Sequence, residues 1–135
     1  MSYPIMDIEG IGPKYAARLV KAGIKRTHHL LDKGASKQGR KTLAAAAGVD
    51  EGLILKWTNM ADLMRVKGVG EEYSELLEAA GVDTVKELRT RRADHLHQAI
   101  VAANARRKLV RQLPGLSQVE KWVQHAKSLK PIMTH

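Results

Sequence analysis

Apolar residues recur at helical spacing along the whole chain, and no stretch sustains the apolar–polar alternation of a strand. The first run, "PKYAARLVKA", opens on Pro13, which suits the first position of a helix, and ends before Gly23. It predicts a helix over 13–22. A short turn is expected at 27–31. Ser36 then caps a helix through Ala47 that stops at Gly48, and Asp50 caps another to about residue 64. The second half repeats the order. Helices are expected from 71 to 80, ending at Gly81, from Thr84 to about 91, from Asp94 to about 111, and from Ser117 to Leu129. Every segment is helical and the turns are short. The expected fold class is therefore all-α, with small, Ala-rich elements packed closely.

The order repeats because the sequence does. At an offset of 58 residues the halves align without a gap from Ile8 to Leu30, matching Gly10 with Gly68, Gly12 with Gly70, Tyr15 with Tyr73, Leu19 with Leu77 and Gly23 with Gly81. Further on, Lys56, Trp57 and Ala61 match Lys121, Trp122 and Ala126 at an offset of 65, so the second copy carries about seven extra residues near "NARRKLVRQLPG". Residues 1–65 form the first repeat and 66–135 the second. Two such units, neither able to bury its apolar face alone, are expected to share one core in a compact bundle. Leu19, Leu77, Trp57 and Trp122 belong in it.

Each copy opens on a Gly-x-Gly turn, "GIG" at 10–12 and "GVG" at 68–70, where glycine supplies dihedral angles that other residues reach at a cost. The helix that follows leaves unpaired N–H groups at the positive end of its dipole, a place suited to a phosphate oxygen. With Ala16 and Ser74 four residues after the second glycine, the pattern resembles the helix-hairpin-helix motif. "IEGIGPKYAARLVKAGI", "GRKTLAAAAGV", "LILKW", "ADLMRVKGVGEEYSELLEAAGVDTVKEL" and "KLVRQLP…QVEKW" together resemble an uncharacterised bacterial double helix-hairpin-helix family, a domain of unknown function, over nearly the whole chain. The resemblance implies tandem helix-hairpin-helix repeats and a role in holding the DNA or RNA backbone without reading sequence. It implies no reaction.

The two hairpins differ in charge. After the first, Lys14, Arg18, Lys21 and Lys25 follow at steps of four, three and four, three of them on one helix face and the fourth just past its end. Tyr15, Ala16, Leu19, Val20 and Ala22 are expected to face the core. The corresponding basic-stripe positions in the second copy are Glu72, Leu76, Ala79 and Asp83, and Glu71 joins Glu72 in the first turn, where both favour the helix and repel phosphate. The expectation is a polyanion clamp at Gly10, Ile11, Gly12, Lys14, Arg18, Lys21 and Lys25. Gly68, Val69, Gly70, Leu76 and Ala79 are expected to form a packing or protein-partner surface.

Composition supports this direction. Twenty-three Lys and Arg against fourteen Asp and Glu give a net charge of +9, which favours polyanionic partners. Further basic clusters are Arg89, Arg91 and Arg92; Arg106, Arg107, Lys108 and Arg111; and Lys37, Arg40 and Lys41. Two Trp and three Tyr are too few for a base-stacking platform. "LAAAAGVDEG" has a helix-turn-helix cadence, but it would offer Asp50 and Glu51 to the major groove, so sequence-specific readout is not expected. There is no cysteine, no Walker loop and no Ser/His/Asp order. His95 and His97 diverge on their helix, and His135 is expected to lie in a disordered terminus. No metal or cofactor is expected.

The sequence shows no signal peptide and no apolar span, and a cytoplasmic protein is expected. The expected function is non-enzymatic, sequence-independent nucleic-acid binding through the first repeat, DNA over RNA. The alternative is a protein-interaction adaptor using the second.

Overall fold

The computed structural model describes residues 2–135. Among them are a 3-10 turn at Ile5–Asp7 and eight α-helices: α1 Pro13–Lys21, α2 Thr27–Gly34, α3 Lys37–Ala47, α4 Glu51–Leu63, α5 Glu71–Ala79, α6 Val85–Leu88, α7 Ala93–Arg107 and α8 Leu116–Ser128. The one β feature among these residues is an isolated bridge between Pro4 and Arg26. No helix among the described residues is long and apolar enough to cross a membrane.

Several helix limits differ from expectation, each for a local reason. The segment at 27–31 becomes a two-turn helix because His29 Nδ1 accepts from the N–H groups of both Lys25 and Arg26, capping α2 as Leu30 and Leu31 enter the core. α7 stops at Arg107 instead of near 111. Lys108 turns left-handed (φ +51°), and the Asn104 side chain then brackets Val110, accepting from its N–H and donating to its carbonyl. α6 is a single turn, closed by the Thr84 hydroxyl accepting from Glu87 N–H.

The two hairpins have nearly the same backbone. Gly10 and Gly68 sit at φ +93° and +91°, and Gly23 and Gly81 at +89° and +96°. In each hairpin the central residue donates back across the turn, Ile11 N–H to Ile8 and Val69 N–H to Val66. Beneath the first lies Trp57, edge-on to Tyr15 at 5.0 Å; beneath the second lies Trp122, tilted against Tyr73 at 5.2 Å. Both tryptophans are buried, as are Leu19 and Leu77. Burying an indole typically contributes more than any cap or surface pair, about 3–5 kcal/mol when lost to Ala.

The architecture is compact and all-α, but it rests on two apolar clusters where one shared core is expected. The first gathers Ile5 to Met64, including Leu19, Leu30 and Trp57; the second gathers Leu63 to Ala126, including Leu77, Leu96 and Trp122. α4 serves both. Trp57, Met60, Ala61 and Met64 recur on one face and enter the first cluster, while Leu63, about 100° from its neighbours in sequence, turns to the second. At the same junction the buried Asp62 accepts from the Arg65 guanidinium and from Val85 N–H, fixing the start of α6.

On α1 only Ala16 and Leu19 are fully buried, with Tyr15 and Ala22 half-buried beside them. Val20, expected in the core, is 44% exposed. It lies about 100° round the helix from Leu19, beyond the narrow stripe that a single packing face covers.

The chain end also departs from the expected division at residue 65. Beyond α8, Arg65 Nη2 donates to Lys130 O, Met133 is buried in the first cluster, and Thr134 N–H bonds Ala35 O. The last residues of the second repeat therefore complete the first, and His135 lies near Lys37, Arg40 and Glu51. Met133→Ala should cost about 2–5 kcal/mol in reversible denaturation. An unchanged transition would mean that the tail adds nothing to the core.

A second inter-repeat contact is acidic. The Glu71 carboxyl is pushed above the usual carboxylate range by partial burial, then by the neighbouring Glu9 carboxyl and by Asp7 and Glu72. Glu75 is raised as well, by burial and by Glu9. A carboxyl whose folded pKa is raised loses stability as pH rises from the ordinary value through the raised one. Glu71→Gln should therefore raise the melting temperature at pH 7, and the gain should shrink towards about pH 4, where the Glu71 carboxyl is itself protonated in the parent. A gain equal at both pH values would refute this source of strain.

Candidate nucleic-acid interface

The first hairpin reaches the surface through its backbone. Ile8 and Ile11 are buried anchors, while Glu9 and Gly10 are exposed. Gly12 is the N-cap of α1 and offers no side-chain cap; Pro13 has no N–H, and the first bond back to the cap comes from Ala16 N–H to Gly12 O. The N–H groups of Lys14 and Tyr15 therefore stand ahead of that bond, at the positive end of the helix.

Lys14, Arg18, Lys21 and Lys25 are all exposed, so the expected basic row exists as a surface. Arg18 is the least free of the four. Its guanidinium lies 6.0 Å from the Tyr15 ring centroid, and Nη1 donates to Gly48 O at 3.3 Å, closing the C-terminal end of α3. The hairpin also has an acidic side, since Asp7 and Glu9 precede it and Glu71 of α5 lies beside Glu9. A polyanion approaching Gly12 is thus attracted from the α1 side and repelled from the α5 side.

The second hairpin has the reverse arrangement. Val69 is buried; Glu71 and Glu72 project from the start of α5, where they share a surface hollow with Gly70 and Arg111. Leu76, expected on a partner surface, is buried in the second cluster, and Ala79 is half-buried against it. The correction follows from α5 packing on two sides, against α4 and α7, whereas α1 has an open flank. Ahead of the turn stands Lys67, where the first repeat has Glu9. Lys67 N–H donates to His125 Nδ1 of α8 at 2.9 Å, and a groove of about 660 Å3 opens between Lys67–Gly68 and the face of α8 that carries Ser117, Lys121 and His125. The groove is not among the features expected from sequence; its one signal there is the Glu9-to-Lys67 exchange between the aligned copies.

The other basic clusters divide. Arg40 is buried and donates to the carbonyls of Gly34 and Ala35, so it closes α2 and cannot extend a surface track. Arg89 donates to Lys127 O, Arg91 to Gly81 O and Glu87, and Arg92 to Asp94, leaving "LRTRR" largely tied to the protein. Arg106 and Lys108 are exposed at the end of α7, and Arg107 approaches Glu75 at 3.9 Å. No cluster of histidine or acidic residues among the described residues is arranged to hold a metal ion.

Neither a curated protein nor a solved structure gives a significant match to the chain. A family profile does match, over residues 9–129, from just before the first hairpin to the end of α8. On that match the chain belongs to the family described as domain of unknown function DUF4332.

Proposed function

We propose that this protein holds the nucleic-acid backbone, DNA over RNA, without reading its sequence, through the first hairpin and the exposed face of α1. The observation that carries the reading is the uncapped start of α1 at the head of a row of exposed cations, Lys14, Arg18, Lys21 and Lys25. Open amides and the helix dipole favour one phosphate oxygen, and the ammonium groups neutralise the charges that follow. The acidic side formed by Asp7, Glu9 and Glu71 gives the contact a direction, with the backbone running along α1 and away from α5.

Nothing near this surface reads or stacks on bases. Trp57 and Trp122 are buried and Tyr15 is half-buried against Trp57, so phosphate contacts dominate and sequence has little influence. The turn geometry and helix ends agree with the helix-hairpin-helix resemblance. The adaptor alternative loses its apolar anchor with the burial of Leu76.

The cleanest test reverses Lys14 and Lys21, since Arg18 also closes α3. Lys14→Glu with Lys21→Glu should weaken binding to generic duplex DNA at low salt by about tenfold or more. It should also flatten the dependence of log affinity on log salt by roughly two units, with scrambled sequences binding alike. The fold should be unaffected, because both side chains are exposed. Unchanged affinity and slope would remove the α1 face from the interface.

A further inference from the structure

The groove beside the second hairpin is lined by hydrogen-bond donors and by no carboxylate. Lys67 borders it on the hairpin side, and Ser117, Gln118, Lys121 and His125 border it from α8. The acids of this repeat, Glu71 and Glu72, instead line a separate hollow on the far side of the turn, with Gly70. The first repeat keeps a lysine, Lys56, at the place of Lys121 but has Glu9 at the place of Lys67, so the pair of lysines belongs to the second copy alone.

Two details prepare this groove for an anion. His125 Nδ1 accepts from Lys67 N–H, so the neutral imidazole must carry its proton on Nε2, which is left as a donor. Trp122, only 2% exposed, also lines the groove. Its indole nitrogen lies against Gly68, 3.2 Å from where a Cβ would stand, and among the described residues its N–H has no hydrogen-bond partner. The buried side-chain atom without a partner among the described residues is Asn59 Oδ1, so the indole N–H is not sealed from solvent and an acceptor in the groove can reach it. Two ammonium groups, an imidazole N–H, a hydroxyl and an indole N–H thus surround one space, large enough for a small ligand.

We propose that this groove binds a phosphate group, separately from the α1 face. Lys67 and Lys121 neutralise its charge, and His125 Nε2–H and the Trp122 indole N–H donate to its oxygens. The chemistry is the same whether the phosphate ends a nucleic-acid strand, lies within its backbone or belongs to a free nucleotide. A terminal monoester suits the two lysines best, because its charge approaches −2 near neutral pH, against −1 for a backbone diester.

The chain has two tryptophans, hence two indole N–H signals in a 1H–15N spectrum. The full-length protein is titrated in turn with inorganic phosphate, a mononucleotide, a short single strand bearing a 5′-phosphate, and the same strand with a 5′-hydroxyl. The Trp122 signal should shift saturably with phosphate while that of Trp57 stays in place. A 5′-phosphate strand binding several-fold more tightly than its 5′-hydroxyl twin identifies a terminal phosphate; equal shifts identify the backbone; a shift with the mononucleotide and neither strand identifies the free nucleotide. Lys67→Ala with Lys121→Ala, both exposed positions, should weaken the response about tenfold or more. Lys14→Glu with Lys21→Glu should leave the phosphate response intact, so failure of the α1 reading and failure of this one are separable. A Trp122 signal indifferent to every probe, or a response surviving loss of both Lys67 and Lys121, overturns the proposal.

Discussion

Each half of this protein depends on a glycine lying against a buried indole. Gly10 turns over Trp57 and Gly68 over Trp122, each at a positive φ, and a Cβ at Gly68 would press on the indole nitrogen at 3.2 Å. At Gly10 the same Cβ would stand 3.5 Å from the Trp57 nitrogen, an ordinary contact, so there it is the positive φ that favours glycine. That contact fixes the exit of the hairpin and the direction of the next helix. It decides which N–H groups reach solvent, so the surface chemistry of both repeats follows from the tryptophan beneath each turn.

On this shared backbone the two copies differ in charge. The first hairpin carries acid before the turn, at Asp7 and Glu9, and base after it, at Lys14 and Arg18. The second carries base before it, at Lys67, and acid after it, at Glu71 and Glu72. The acids of both copies meet where Glu9 faces Glu71, whose carboxyl is raised above its usual range by partial burial and then by Glu9, and the cations are left on outward flanks. Two cationic regions therefore lie apart on one small protein, the row along α1 and the groove of α8. α4 runs between the two apolar clusters, with Leu63 in one and Met64 in the other, and Met133 returns to tie the chain end to the first.

Much of this was legible in the sequence because periodicity and glycine placement are local signals. The turns, the ends of α1, α3 and α5, the burial of both tryptophans and the exposed Lys14, Lys21 and Lys25 could be read directly. What could not be read depends on tertiary neighbours. Leu76 and Val20 departed from their expected surroundings because α5 is held between α4 and α7, which cover Leu76, while the contacts of α1 with α3 and the 3-10 turn leave Val20 exposed. Arg40 became a buried helix closure through carbonyls supplied by Gly34 and Ala35, and Met133 entered the first apolar cluster beside Thr134, which bonds Ala35, 99 positions earlier. The Lys67 groove needed both the hairpin and α8 to be placed before its donors converged.

The central claim, that the open amides and cations of α1 take the nucleic-acid backbone, is tested most directly by mapping backbone amide shifts while generic duplex DNA is added. The account predicts that the largest changes fall on Gly12, Lys14 and Tyr15 and continue along the Arg18–Lys21 flank, with the same pattern for unrelated DNA sequences. Changes confined to the exposed end of α7 at Arg106 and Lys108, or a pattern that depends on the DNA sequence, would contradict it.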